Sequence, residues 1–439
     1  MRCREYGYSS TSFSRAFWCF FLLLIIGVPI SVGIGVSSFV TALLVVPMDV
    51  AVFTAAQKMV QGINSFSLLA VIFFILSGSI MNNGGIAIRL INLAKLIGGR
   101  LPGSLAHTNV VGNMLFGSIS GSAVASAAAI GKVMTPLQEK EGYDKSYSAA
   151  VNIASSPAGL LIPPSSVLIL YSLVSGGTSI SALFIAGYLP GILMGLSVMI
   201  VAYFIAKKQS YPVAERPSFS QGVKVFLDAI PSLLLIVIVI GGIVAGIFTA
   251  TEGAAVAVLY SVILAAVYRE IKWKDIPGIL TETVVMTGIV LFLVGASSIM
   301  SWVMAFTGIP TAITDLLLQA SENPIIILLI MNIILLIVGT FMDLTPAVLI
   351  FTPIFLPIAV QLGMDPVHFG IVLVFNLCIG IMTPPVGSAL FVGCSVANVS
   401  IESVLKPLTK MFVALIIALM LITYIPWISM VLPRLFGLT

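Results

Sequence analysis

Uninterrupted apolar runs dominate the chain. Residues 180 to 206, 230 to 249 (IPSLLLIVIVIGGIVAGIFT) and 411 to 432 carry no charged side chain, and each reaches the ~20 residues that cross a bilayer as a helix. No period-two alternation competes with them, so the pattern predicts an all-α polytopic membrane protein. The polar interruptions are as informative as the runs. Leu105 to Pro136 is too long for one helix and is broken by Gly117-Ser118-Ile119-Ser120-Gly121-Ser122, which predicts a re-entrant hairpin over about 105–136. A second hairpin over about 324–357 would turn within Gly339-Thr340-Phe341-Met342-Asp343-Leu344-Thr345-Pro346. Two proline pairs, Pro163-Pro164 and Pro384-Pro385, predict broken helices over about 149–175 and 366–395, because proline lacks an amide hydrogen and clashes with the preceding turn.

These interruptions recur at one spacing. The proline pairs lie 221 residues apart, and Pro136, Gly142, Gly159, Ser179 and Ile180 return without a gap as Pro357, Gly363, Gly380, Ser400 and Ile401. The chain therefore reads as a single integral membrane unit, 1–439, holding repeat 1 at 66–206 and repeat 2 at 284–432. Basic residues orient the copies, since cytoplasmic loops collect them. Repeat 1 holds Arg89, Lys95, Arg100, Lys132, Lys140 and Lys145, whereas no lysine or arginine occurs between Lys274 and Lys406. Opposite bias predicts an inverted repeat, the arrangement of secondary transporters with a site near the midplane. The loops with Lys207, Lys208, Arg216 and Lys224, and with Arg269, Lys272 and Lys274, are then cytoplasmic, with a two-helix excursion between them turning near Glu252. Loops with Asp315, Glu322 and Asp365 fall outside.

Composition agrees: 59% of residues are hydrophobic and 8% charged, against roughly a quarter charged in soluble domains. The net charge of +4 records cytoplasmic loops and gives no support for nucleic-acid binding. Arg2, Arg4 and Arg15 precede the apolar run from Ala16 to Ile26, which reads as a first membrane anchor, there being no convincing cleavage site. Segment 37 to 60 either re-enters, leaving the basic N-terminus inside, or spans, placing it outside. Cys3, Cys19, Cys378 and Cys394 show no metal or disulfide spacing.

The candidate chemistry lies at the interruptions. Hydroxyls among glycines let backbone approach a ligand and coordinate a hard cation, which singles out Ser118, Ser120 and Ser122; the alternative is small-residue helix packing. The offset puts Asp343 at the place of Ser122. A carboxylate in so long an apolar region costs roughly 2.5 to 3.5 kcal/mol on insertion scales, which marks function, unless it reaches the interface. Thr345 stands beside it. The proline breaks leave upstream carbonyls without partners, and such oxygens bind Na⁺; the candidates are Gly159 and Pro163 in the first break and Asn376, Gly380 and Thr383 in the second. The half-helices that follow aim amide hydrogens and a positive dipole end at the same gap, so Ser165, Ser166, Gly387 and Ser388 are candidates for holding an anionic solute. A simple kink is the alternative for one such break, less so for two in register.

Other chemistries find little support. There is no GxxxxGK[ST] motif, and His107 and His368 are isolated. An intramembrane hydrolase using Ser120 or Asp343 lacks a positioned base or second carboxylate. The segment Ile86 to Leu96, with Arg89 and Lys95, predicts an interfacial amphipathic arm.

The sequence resembles the large membrane subunit of the tripartite ATP-independent periplasmic (TRAP) transporters from about residue 66 onward. The segments that carry the likeness are ILSGSIMNNGGIA (75 to 87), GSISGSAVASAAAIG (117 to 131), EGYD (141 to 144), LLIPPSS (160 to 166), LFIAGYLPGILMG (183 to 195), GTFMDLTPA (339 to 347) and MTPPVG (382 to 387). The resemblance implies an elevator-type Na⁺ symporter of the inner membrane, with Na⁺ as coupling ion and no enzymatic activity. It also implies that an organic acid is delivered by a soluble periplasmic binding protein and that a small membrane subunit of about four helices is a partner. By position, one Na⁺ site falls at Ser118, Ser120 and Ser122 with the first break, the other at Asp343 and Thr345 with the second. LVSGGTSISALF (173 to 184) and MDLTP (342 to 346) look more like sugar-acid and sialic-acid members than C4-dicarboxylate ones. A stand-alone Na⁺/carboxylate symporter is the alternative of the same class.

Overall fold

The computed structural model describes residues 19–20, 22–23, 26–99, 101–213, 219–321 and 323–438. Arg2, Cys3, Arg4, Arg15, Arg100, Arg216 and Glu322, and much of the expected first anchor, lie outside the described residues.

Among the described residues every regular element is helical. Eight helices are long and apolar enough to cross a membrane, and Lys145–Leu161 with Ser166–Val174, bent by 53°, makes a ninth. The apolar segment at 37 to 60 is two helices, Ile30–Leu43 and Met48–Ile63. Both pack on Ile276–Phe306. The excursion near Glu252 is the pair Phe219–Val244 and Ala250–Tyr268. Its second helix starts with a capping box between Thr249 and Glu252.

Similar elements occur in the two halves of the chain. In the first copy the hairpin is Ser104–Ser120 and Ala123–Lys140, and in the second it is Pro324–Phe341 and Leu344–Gln361. Both second arms run past Pro136 and Pro357, where the sequence pattern ended the hairpins. A membrane helix absorbs proline because neighbouring groups satisfy the freed carbonyl. The first broken helix comprises Lys145–Ser155, the turn Ala158–Leu161 and Ser166–Val174; the second comprises Pro366–Gly380 and Ser388–Ala397. Both proline pairs are joined by a cis peptide bond. The amphipathic arm Ile86–Gly98 has a counterpart, Ile309–Ala320, that the sequence reading missed because the second arm carries no basic residue.

Each hairpin crosses its own broken helix at a glycine pair. A β-carbon on Gly117 would stand 3.0 Å from Gly159 Cα, and one on Gly339 would stand 2.9 Å from Gly380 Cα. Backbone therefore meets backbone, as small residues permit in membranes. The copies also exchange partners. Ser166–Val174 packs on Leu344–Gln361 of the other copy, and Ser388–Ala397 packs on Ala123–Lys140. Cys378 Sγ lies 3.8 Å from the carbonyl oxygen of Pro157, the residue 221 positions earlier. The two broken helices thus touch at positions one repeat spacing apart.

Candidate functional site

The two hairpin turns come together at one cavity of about 220 Å³. One wall is Ser120, Gly121 and Ser122 of the first turn, with Pro164 and Ser166 of the first break; Asp343, Leu344 and Thr345 form the second. The facing wall belongs to two helices outside the hairpins: Gly78, Ser79 and Asn82 of Phe66–Asn83, and Glu282 and Met286 of Ile276–Phe306.

The turns occupy equivalent positions but use their side chains differently. Ser122 caps its own helix, its hydroxyl accepting from the Ala125 amide at 3.2 Å. Ser120 Oγ donates to the Ser122 carbonyl at 3.4 Å. Gly121 takes a left-handed conformation, φ +63°, and a β-carbon there would stand 3.4 Å from Ser166 Oγ. Asp343 holds the same cap position but makes no capping hydrogen bond. Its Oδ1 instead accepts from Ser388 Oγ at 3.1 Å, across the second break. The Val386 amide donates to the Thr340 carbonyl at 3.1 Å, tying the same turn to the same break by backbone.

The second break supplies further oxygens. A β-carbon on Gly387 would stand 2.8 Å from the Thr383 carbonyl oxygen and 3.1 Å from that of Ile381. Only glycine leaves that convergence open. Asn376 is fully buried, and its amide nitrogen donates to Asn332 O at 3.0 Å and Asn332 Oδ1 at 2.8 Å, while its own Oδ1 has no protein partner. A buried unpartnered carbonyl calls for an explanation, and a hard cation is one that suits it.

Of the residues singled out from the sequence, Ser120, Ser122, Ser166, Asp343 and Thr345 line the cavity. Ser388 joins it through Asp343. Ser118 is buried and donates to the Leu115 carbonyl at 2.9 Å. Gly159 and Gly380 are the crossing points described above, and Pro163 is buried beside the first. Ser165 is buried as the cap of Ser166–Val174, accepting from Leu168 N at 3.4 Å. Thr383 Oγ1 donates back to the Ile379 carbonyl at 2.8 Å. His107 and His368 lie outside the cavity, His368 Nδ1 standing 2.6 Å from Ser429 Oγ.

Sequence reasoning missed Glu282, whose Oε2 accepts from Ser79 Oγ at 2.7 Å. The signal was present: Glu282 is the one charged residue between 276 and 306. With Asp343 it completes the ionisable lining of the cavity, which among the described residues contains two carboxylates and no lysine, arginine or histidine.

Residues 17–428 match the family described as tripartite ATP-independent periplasmic transporter, DctM component. The chain belongs to that family. It is 58% identical over 421 residues to the uncharacterized protein YgiK of Salmonella typhimurium, covering 96% of this chain and 97% of that one. It is 38% identical to the sialic acid TRAP transporter large permease protein SiaM of Vibrio cholerae, covering 94% and 96%. It is 36% identical to the C4-dicarboxylate TRAP transporter large permease protein DctM of Rhodobacter capsulatus, covering 95% and 97%. In fold it is similar to the Alcanivorax borkumensis YdaH transporter, with a TM-score of 0.64 at 13% identity, covering 95% and 98% of the two chains. This TRAP large permease is thus a multi-pass membrane transport component and not an enzyme.

Proposed function

We propose that this permease carries out Na⁺-coupled secondary import of an organic acid across the bacterial inner membrane. The observation that carries the reading is the cavity's charge. A recess lined by Asp343 and Glu282 and, among the described residues, by no basic side chain repels an anion until cations neutralise it. Asp343 and the carbonyls of Ile381 and Thr383 are the oxygens available near the second turn, and the free Oδ1 of Asn376 lies further back in the helix before the second break. Ser120 and Ser122 provide hydroxyl and carbonyl oxygens at the first. Na⁺ held there makes the amide end of Ser166–Val174 a place for the solute carboxylate.

The coupling suffices energetically. Two Na⁺ crossing a roughly tenfold gradient and about 100 mV release about 7 kcal/mol, a monoanion opposes with about 2.3, and the remaining ~5 kcal/mol supports roughly several-thousand-fold accumulation. Opposite charge bias in the copies supports an approximate two-fold axis lying in the membrane plane, hairpins that re-enter, and a broken-helix body that moves as an elevator against Phe66–Asn83 and Ile276–Phe306.

The partners follow from the family: a periplasmic binding protein that delivers the acid and a small four-helix membrane subunit. The likeness of 173 to 184 and 342 to 346 to sugar-acid and sialic-acid members makes those the first choice of solute, with C4-dicarboxylates next. The test is uptake into proteoliposomes holding both membrane subunits, with the binding protein outside. Uptake is expected only with an inward Na⁺ gradient; full uptake without Na⁺ refutes coupling. Uptake that survives omission of the binding protein indicates a stand-alone symporter.

A further inference from the structure

Glu282 stands at one end of its helix, and that end can be assigned a side. Phe66–Asn83 leads into the arm that carries Arg89 and Lys95, and Ile276–Phe306 follows Arg269, Lys272 and Lys274. Basic flanks mark the cytoplasmic side. The cavity is lined by positions 74 to 82 of the first helix and 282 to 290 of the second, the halves next to those basic segments. The opposite halves, 66 to 73 and 291 to 306, contain no charged residue at all. The wall against which the hairpin turns now rest is therefore acidic, whereas the wall at the other end of the same helices is neutral.

We infer that Glu282 is a release residue: on the cytoplasmic side its carboxylate weakens the hold on the anionic solute and so favours unloading. The inference rests on the transport reading above. Ser79 Oγ, itself buried, donates to Glu282 Oε2 at 2.7 Å and fixes the carboxylate at the cavity wall. Among the described residues no basic side chain pairs with it. A charge inside a cavity of about 220 Å³ lies within about the ~10 Å Debye length of that wall, so screening by salt does not erase the repulsion. The far halves of these two helices carry no charge of their own and so exert no such force. The same solute is then bound more weakly where it leaves than where it enters, and the effect grows with solute charge.

The experiment is equilibrium binding of gluconate and glucarate, two sugar acids that differ by one carboxylate, to the purified complex of both membrane subunits in Na⁺. Glu282→Gln keeps an oxygen for Ser79 and removes the charge. It is expected to tighten gluconate at least fivefold and glucarate by a larger factor. Ser79→Ala keeps the charge but frees the carboxylate from its anchor, so it is expected to tighten both acids by clearly less than Glu282→Gln does. Equal Na⁺-dependent binding by wild type and Glu282→Gln overturns the release role and leaves the transport reading standing. Tightening by Ser79→Ala as large as by Glu282→Gln also overturns it, since packing rather than charge is then the cause. Failure of both acids to bind any of the three proteins in Na⁺ overturns the release role for sugar acids together with that first choice of solute, while Na⁺ coupling itself is decided by the uptake assay.

Discussion

Asp343 Oδ1 accepts a hydrogen bond from Ser388 Oγ at 3.1 Å, although the two residues are 45 positions apart. The contact joins the turn of the second hairpin to the first residue of the half-helix after Pro384-Pro385. Ser122, at the matching place in the first copy, spends its hydroxyl on its own helix. Because Asp343 does not cap its own helix, its carboxylate is left to reach the break through Oδ1, where it is able to serve a cation.

Asp343→Asn is therefore expected to raise the Na⁺ concentration for half-maximal uptake about tenfold or more, since a hard cation prefers a carboxylate to an amide. The assay is initial uptake rate against Na⁺ concentration in proteoliposomes of the complete system. An unchanged Na⁺ curve removes Asp343 from the ligand set.

Gly387→Ala places a methyl where the carbonyls of Thr383 and Ile381 converge. The expected result is a loss of Na⁺ affinity of about tenfold with the complex still assembled, read as Na⁺-dependent thermal protection. Full Na⁺ protection in the variant separates this pair of carbonyls from the cation.

Gly117→Ala and Gly380→Ala insert a methyl into the two backbone crossings. Overpacking of this kind costs about 1–3 kcal/mol, so a lower unfolding temperature of the purified complex is expected for each. Wild-type stability in both would show that the crossings are looser than described.

Tyr211 lies stacked on Tyr143, with ring centroids 4.2 Å apart, and its hydroxyl accepts from the Asp144 amide at 2.9 Å. The stack binds the segment EGYD to the end of Ile180–Gln209, far from the cavity. Tyr211→Phe keeps the stack and removes one acceptor, so a loss of about 1 kcal/mol of stability with Na⁺ affinity unchanged is expected. An altered Na⁺ curve would tie this contact to the site.

Much of this arrangement is legible in the sequence. Apolar length gives the spans, paired prolines give the breaks, and the lone carboxylate Asp343 in an apolar segment marks the second turn. Helix ends past Pro136 and Pro357 were not legible, because proline stops a helix in water but not in a packed membrane core. The glycine crossings were hidden because Gly117 and Gly159 are distant in sequence and either alone reads as a turn residue. Glu282 carried the same signal as Asp343, but no repeat partner drew attention to it. Which residues of a break face the cavity was also beyond pattern reasoning: neighbouring Ser165 and Ser166 differ only in that the first caps its helix.

The central claim is that cations must occupy the cavity before an acid is held there. The most direct measurement is binding of gluconate to the purified complex of both membrane subunits, with Na⁺ replaced stepwise by choline at constant ionic strength. Affinity is expected to fall steeply as Na⁺ is withdrawn and to vanish in choline alone. Equal affinity in Na⁺ and in choline would contradict the account.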